Sequence, residues 1–242
     1  MKWLFILFVA SFLTGCVPAQ RKFLFYPTHR SVTNGLAEWK DEGHVIGYSR
    51  RIPDSSVVWL FLHGNAGQAA DRVYALPHFA SSDSVFILEY PGYGQRSGKP
   101  SRASFDEAAV AAYHLLRRTY PHARICAVGE SIGSGPASAL ARDSIPPDKI
   151  VLIVPFDSLK SVASEHVRYF PVGLALAGMW NNVDALGSYK GSVDIFAAEG
   201  DTVIPISHAR ILVEKIPQSK LHVIRGGHNE WSQQPEVLIR FP

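Results

Sequence analysis

The sequence predicts an α/β domain: a mainly parallel β-sheet covered by helices on both faces. Three observations predict it. Short continuous apolar runs recur along the chain, as strands buried on both faces require. Segments of helical character separate these runs, and that alternation implies parallel strands. The 242 residues, 47% of them hydrophobic, suit one domain with a sizeable core.

In chain order, the first segment stands outside the fold. Met1-Lys2 is a short positive start, and 3–13 is an apolar run too short to span a bilayer as a helix. Together they read as a secretory signal peptide. The run ends in Leu13-Thr14-Gly15-Cys16, which resembles the lipobox of bacterial lipoproteins. That resemblance implies removal of 1–15 and acylation of Cys16 as the mature N-terminus. It also implies a lipid-anchored protein of the bacterial cell envelope. Val17 after the cysteine, rather than Asp, implies the outer membrane facing the periplasm in a Gram-negative cell. An ordinary signal peptide with an incidental cysteine and an uncleaved N-terminal anchor are the rival readings. Residues 16–27 read as a tether, and 28–242 as the folded domain. The basic-aromatic stretch Arg21-Lys22-Phe23-Leu24-Phe25-Tyr26 either packs its aromatics on the domain or lies near lipid headgroups.

Strands are expected at 57–62, 85–88, 125–128, 150–154, 193–198 and 221–224. Helices are expected at 71–80, 104–120 and 205–215, after Ser131, and from about Glu230 to the C-terminus. For 104–120, Ser104 is the expected cap, Glu107 stands three residues on, and Pro121 ends the helix. The interval between Val154 and Val193 breaks the rhythm. It carries Phe156, Tyr169, Phe170, Leu174, Leu176, Met179 and Trp180, and reads as a helix with a small cap insertion over about 156–190.

A formal net charge of +3 without a long Lys/Arg run argues against nucleic acid as a partner. Only two cysteines exist. With Cys16 acylated, Cys126 has no intramolecular partner and reads as a small buried hydrophobe. No His-x-x-x-His or Cys-x-x-Cys cluster suggests a metal, and no cofactor is expected.

The chemistry centres on Gly129-Glu130-Ser131-Ile132-Gly133, between the apolar run 125–128 and a small-residue segment that begins at Ser134. A G-x-S-x-G between strand and helix holds a serine hydroxyl on a sharp bend at the carboxyl edge of a sheet. A serine hydroxyl is a weak nucleophile and needs a neighbouring base, which in turn needs an orienting acid. In this arrangement the acid follows a late strand and the histidine follows the last one. Asp201, in Gly200-Asp201-Thr202-Val203-Ile204-Pro205, occupies the acid position. Glu199 and Asp157 are the other candidate acids. His228, in Gly226-Gly227-His228-Asn229, follows the last run. The other histidines considered lie off the strand ends, within a strand, or on a helix or at its end. Oxyanion donors should come from the backbone N–H of Ile132 and from His63-Gly64-Asn65-Ala66-Gly67, where Asn65 is the expected donor. His63 is expected to brace that loop. The segment 89–94 is either a pocket wall or simply a turn.

Taken in order, these motifs resemble the α/β-hydrolase superfamily. They are most similar to the small serine hydrolases that include eukaryotic protein depalmitoylases and their bacterial relatives. The resemblance spans nearly everything from Phe23 onward, and Phe25-Tyr26-Pro27, Tyr90-Pro91-Gly92-Tyr93-Gly94 and Ser97-Gly98-Lys99-Pro100 add to it. It implies the α/β-hydrolase fold and a serine hydrolase cleaving carboxylic esters or thioesters through an acyl-enzyme. The implied partners are a small-molecule or lipid-like acyl substrate and, through lipidated Cys16, a membrane. The eukaryotic depalmitoylases work at the cytoplasmic face, whereas this chain reads as exported, so their substrates do not transfer. An amidase or peptidase with the same triad, and a non-catalytic envelope lipoprotein using the fold as a binding module, are the alternative readings.

Overall fold

The computed structural model describes residues 24–166, 176 and 178–242. The signal peptide, Cys16 and most of the proposed tether lie outside the described residues, as do Tyr169, Phe170 and Leu174 of the expected cap.

An eight-stranded sheet forms the centre. Its strands are β2 (Ala37–Asp41), β3 (His44–Arg50), β4 (Val57–Leu62), β6 (Ser84–Leu88), β7 (Arg124–Glu130), β8 (Lys149–Ile153), β9 (Ser192–Ala198) and β10 (Ser219–Ile224). The short β1 (Tyr26–Pro27) pairs with β5 (Ala66–Gly67) apart from the main sheet. The order is β10-β9-β8-β7-β4-β6-β3-β2. Every pairing from β10 to β6 is parallel, and β3 and β2 join as antiparallel edge strands.

The apolar runs become strands because both faces are covered. In β4, Val58, Leu60 and Leu62 enter one core cluster with Phe105, Ala109 and Tyr113. Trp59 and Phe61, pointing the other way, enter a second cluster with Phe79, Trp231 and Val237. Cys126, fully buried and free, belongs to the second cluster and fills the role of a small hydrophobe. Burial pushes its thiol well above the usual range.

The helices are α1 (Arg102–Thr119), α2 (Ser134–Ala139), α3 (Leu159–His166), α4 (Asn182–Leu186) and α5 (Ile206–Lys215). Three expectations need correction. Helix α1 starts two residues early, because Ser101 caps it: its hydroxyl accepts from the Ser104 N–H while Ser104 returns to the Ser101 N–H. The stretch 71–80 is not α-helical but a 3₁₀ segment over Ala69–His78, with Pro77 inside it. The C-terminal helix is reduced to a 3₁₀ turn, Trp231–Gln233. Beyond it the chain makes a turn, the Val237 N–H donating to the Gln234 carbonyl, and Ile239 then bridges to Phe79. No described helix is long and apolar enough to cross a membrane.

Candidate active site

The six mutually parallel strands, β10 to β6, end on one edge of the sheet, and the loops that follow β4, β7, β8, β9 and β10 carry the candidate nucleophile, acids, histidine and oxyanion residues. Ligands in open α/β sheets bind at that edge. Ser131 follows β7 directly and takes φ of 51°, a left-handed conformation that is uncommon for a residue with a Cβ. The glycines around it are required sterically. A Cβ on Gly129 would lie 2.6 Å from the Gly133 carbonyl oxygen and 2.7 Å from Ala137 Cβ. A Cβ on Gly133 would overlap the Leu62 carbonyl. The bend therefore packs directly against the end of β4.

Asp201, His228 and Ser131 form one hydrogen-bonded chain. His228 Nδ1 lies 2.7 Å from Asp201 Oδ2, and His228 Nε2 lies 2.9 Å from Ser131 Oγ. An ionised carboxylate only accepts, so Nδ1 carries the proton and the Nε2 lone pair faces the serine hydroxyl. Asp201 is itself held: its Oδ1 accepts the N–H groups of Val203 and Ile204, each at 2.8 Å. The acid and histidine loops are joined where the Gly200 N–H donates to the Gly226 carbonyl at 3.0 Å. A Cβ on Gly200 would stand 2.9 Å from that same oxygen.

The rival acids are placed elsewhere. Glu199 is exposed. Asp157 accepts from His208 Nδ1 at 2.7 Å, and His208 is 1% exposed. The second nitrogen of His208 faces Glu165 Oε2 at 3.4 Å.

The expected oxyanion residues, Asn65 and Ile132, both line the cleft beside Ser131. The Gly64 carbonyl accepts from His63 Nδ1 at 2.7 Å and from Arg72 Nη2 at 3.2 Å. In a trans peptide the C=O and the next N–H point in opposite directions, so the Asn65 N–H points away from His63 and Arg72. The Asn65 side chain is bonded to the Leu24 carbonyl and to the Tyr93 hydroxyl, at 2.5 and 3.0 Å. His63 is fully buried against Tyr90 and bears on the loop, not on the cleft. The segment 89–94 does not line the cleft either; its tyrosines brace His63 and Asn65 from behind.

The cleft has a volume of about 300 Å³. Leu24, Phe156, Leu159, Val162, Val203 and Ile204 give it an apolar side. The expected cap residues divide between two roles. Phe156 reaches the cleft, whereas Trp180 packs on Phe105 in the core and donates its indole N–H to Asp106 at 2.7 Å. Among the described residues no group of three or more His, Cys, Asp or Glu could hold a metal ion.

Sequence reasoning passed over Glu130, the variable residue before the serine. It is buried, and its carboxylate accepts from the Gly64 N–H at 2.8 Å, the Trp231 indole at 3.0 Å and the Tyr74 hydroxyl at 3.1 Å. Burial opposes its ionisation, but nearby Arg72 and the Gly64 and Trp231 donors hold it below the usual carboxylate range. The available signal was a charged residue at the end of an otherwise apolar strand.

Comparison with known proteins bears on the family and the fold. Alpha/beta hydrolase domain-containing protein 17C of Xenopus laevis is 30% identical over 213 residues, covering 84% of this chain and 67% of that protein. The chain belongs to the α/β-hydrolase superfamily. An uncharacterized Mycobacterium tuberculosis protein is 31% identical over 184 residues, covering 74% of this chain and 64% of its own length. The chain thus spans less than two thirds of that relative. Among solved structures, the Pyrococcus furiosus esterase Pf2001 superposes with a TM-score of 0.65 at 17% identity, over 86% of this chain and 95% of that one. That likeness speaks for the fold. No family model matches the sequence.

Proposed function

We propose that this α/β-hydrolase is a serine hydrolase that cleaves carboxylic esters or thioesters through an acyl-enzyme. The observation that carries the reading is the Asp201–His228–Ser131 chain of 2.7 and 2.9 Å contacts at the mouth of a half-apolar cleft. Ser131 Oγ attacks the acyl carbonyl while His228 Nε2 takes its proton. Asp201 keeps the imidazole in the correct tautomer and stabilises the imidazolium. The N–H groups of Asn65 and Ile132 receive the oxyanion. His228 then returns the proton to the leaving oxygen or sulfur. A water, deprotonated by the same histidine, releases the acid and restores Ser131. The apolar side of the cleft takes the acyl chain; Asn65, Arg72 and Asn229 face the leaving group.

The N-terminal segment supports a second element of the proposal. Lipid chains on Cys16 would hold the domain at the surface of the bacterial cell envelope without spanning it.

The test treats the purified domain with a fluorophosphonate probe and then assays short- and long-chain p-nitrophenyl esters and thioesters. Labelling that Ser131→Ala abolishes, with ester turnover, is the expected result. No labelling of the folded wild type would return the chain to a binding role. Faster turnover of anilides than esters would make it an amidase. A Cys16→Ser protein that still fractionates with membranes would refute lipid anchoring as its sole attachment.

A further inference from the structure

The carboxylate of Glu130 is the joint at which three parts of the site meet. Its backbone is covalently next to Ser131. Its Oε2 takes the Gly64 N–H at 2.8 Å, in the loop that carries Asn65. Its Oε1 takes the indole N–H of Trp231 at 3.0 Å, three residues past His228. The Tyr74 hydroxyl fills the same oxygen at 3.1 Å, and the Arg72 guanidinium lies 4.0 Å from Oε2.

Gly64 is consequently pinned at both ends of its backbone. Its N–H is held by Glu130, and its carbonyl by His63 and Arg72. With both groups fixed, the plane of the Gly64–Asn65 peptide is fixed, and so is the direction of the Asn65 N–H. Glycine alone would leave that plane free to rotate. A Cβ on Gly64 would press on this carboxylate, approaching the Glu130 carboxyl carbon to 3.2 Å. On the other side, the turn that holds His228 is closed by the Gly227 N–H on Glu230 Oε2, and Trp231 anchors it to Glu130.

We infer that Glu130 is a positioning residue for hydrolysis, setting the oxyanion loop and the histidine turn in register with Ser131. The inference rests on the serine-hydrolase reading. A buried carboxylate could instead serve only to stabilise the fold as the partner of Arg72, and the two roles separate experimentally. Loss of packing or pairing reduces how much protein is active. Loss of register reduces how fast each active site turns over, because an oxyanion donor acts in the transition state more than in substrate binding.

The experiment measures p-nitrophenyl butyrate hydrolysis per active site, with sites counted by fluorophosphonate titration, for wild type, Glu130→Gln, Glu130→Ala and Trp231→Phe. Glu130→Gln keeps the volume and one acceptor oxygen, so it remains measurable even where Glu130→Ala does not fold. For Glu130→Gln we expect kcat per titrated site to fall about 10-fold to 100-fold with KM within about threefold, a part of the 10²–10³ that loss of one oxyanion donor costs. Trp231→Phe, which frees only the histidine side, should fall less. A Glu130→Gln enzyme with wild-type kcat per site, or one changed only in the number of titratable sites, overturns the positioning role and leaves the serine-hydrolase reading intact. A folded wild type that takes up no probe removes that reading, and the inference with it.

Discussion

Asp201 meets His228 at 2.7 Å through one carboxylate oxygen while its other oxygen is already filled by two backbone N–H groups of its own turn. The two oxygens therefore have separate duties. Oδ1 fixes the carboxylate to the backbone after β9, and Oδ2 aims the imidazole at Ser131. Because Asp201 is 7% exposed, water competes weakly for either oxygen. The short loop after β10 thus presents His228 with the precision of the sheet edge.

Replacing Asp201 by Asn tests this arrangement directly. The amide preserves shape but can present an N–H to Nδ1, which favours the wrong tautomer. Turnover should fall by on the order of 10⁴, with the melting temperature little changed. Steady-state hydrolysis of a p-nitrophenyl ester beside a thermal melt decides it. A loss smaller than tenfold would show that His228 is oriented by something other than Asp201.

The serine bend makes a steric prediction. In Gly133→Ala the new methyl would run into the Leu62 carbonyl, which is β4 backbone and cannot rotate aside. Overpacking of this kind costs about 1–3 kcal/mol. Since Ser131 sits two residues away, probe labelling should be lost before the fold is. Circular dichroism and fluorophosphonate labelling together check the order. A variant that labels at the wild-type rate would mean that the elbow can relax.

Much of this site could be read from the sequence because parallel strands buried on both faces carry a strong signal, and the loops at their carboxyl ends must hold the chemistry. Ser131 and Asp201 stood just past such runs, His228 stood just past the partly exposed edge strand β10, and the three converge. The hairpin formed by β2 and β3 was missed for the converse reason. Along Ala37–Asp41 only Trp39 is buried, as suits an edge strand, so the apolar signal is a single residue. The turn Glu42-Gly43, with φ of 48° and 82°, was the available cue. The role of Glu130 was not legible, despite a charge at the end of an apolar run, because its partners come from Gly64, Tyr74 and Trp231, which only the fold brings together.

Acyl-chain preference should follow the apolar side of the cleft. Val162 on α3 lines it and is 8% exposed, so Val162→Trp projects bulk into about 300 Å³ of space. Long-chain p-nitrophenyl esters should lose roughly 10-fold to 200-fold in kcat/KM relative to the acetate, the usual range for a hydrophobic pocket that discriminates by size. Equal loss for acetate and laurate would place the acyl chain somewhere else.

The pair Asp157–His208 gives the pH prediction. Burial disfavours the imidazolium of His208, yet the hydrogen bond and charge of Asp157, with a smaller contribution from Glu165, raise its pKa above the ordinary 6.5. Burial likewise opposes ionisation of Asp157, and the bond from His208 leads the interactions that hold its pKa below the ordinary 3.8. The sign follows from linkage. A raised histidine contributes stability that is fully present below pH 6.5 and is lost as pH climbs through its folded value. A depressed carboxylate contributes stability that is fully present above pH 3.8 and is lost as pH drops through its folded value. The pair is therefore strongest between those limits, at about 1.5–3 kcal/mol for a charged hydrogen bond. The melting temperature should decline on raising the pH from 6.5 to 9. In Asp157→Asn the decline should flatten or reverse, because burial disfavours charge on His208 and only the weaker Glu165 contact then opposes it. That variant should keep kcat per active site within about threefold, since Asp157 bonds His208 and Asp201 bonds His228. Parallel melting curves for the two proteins across this range would show that the pair adds nothing to stability.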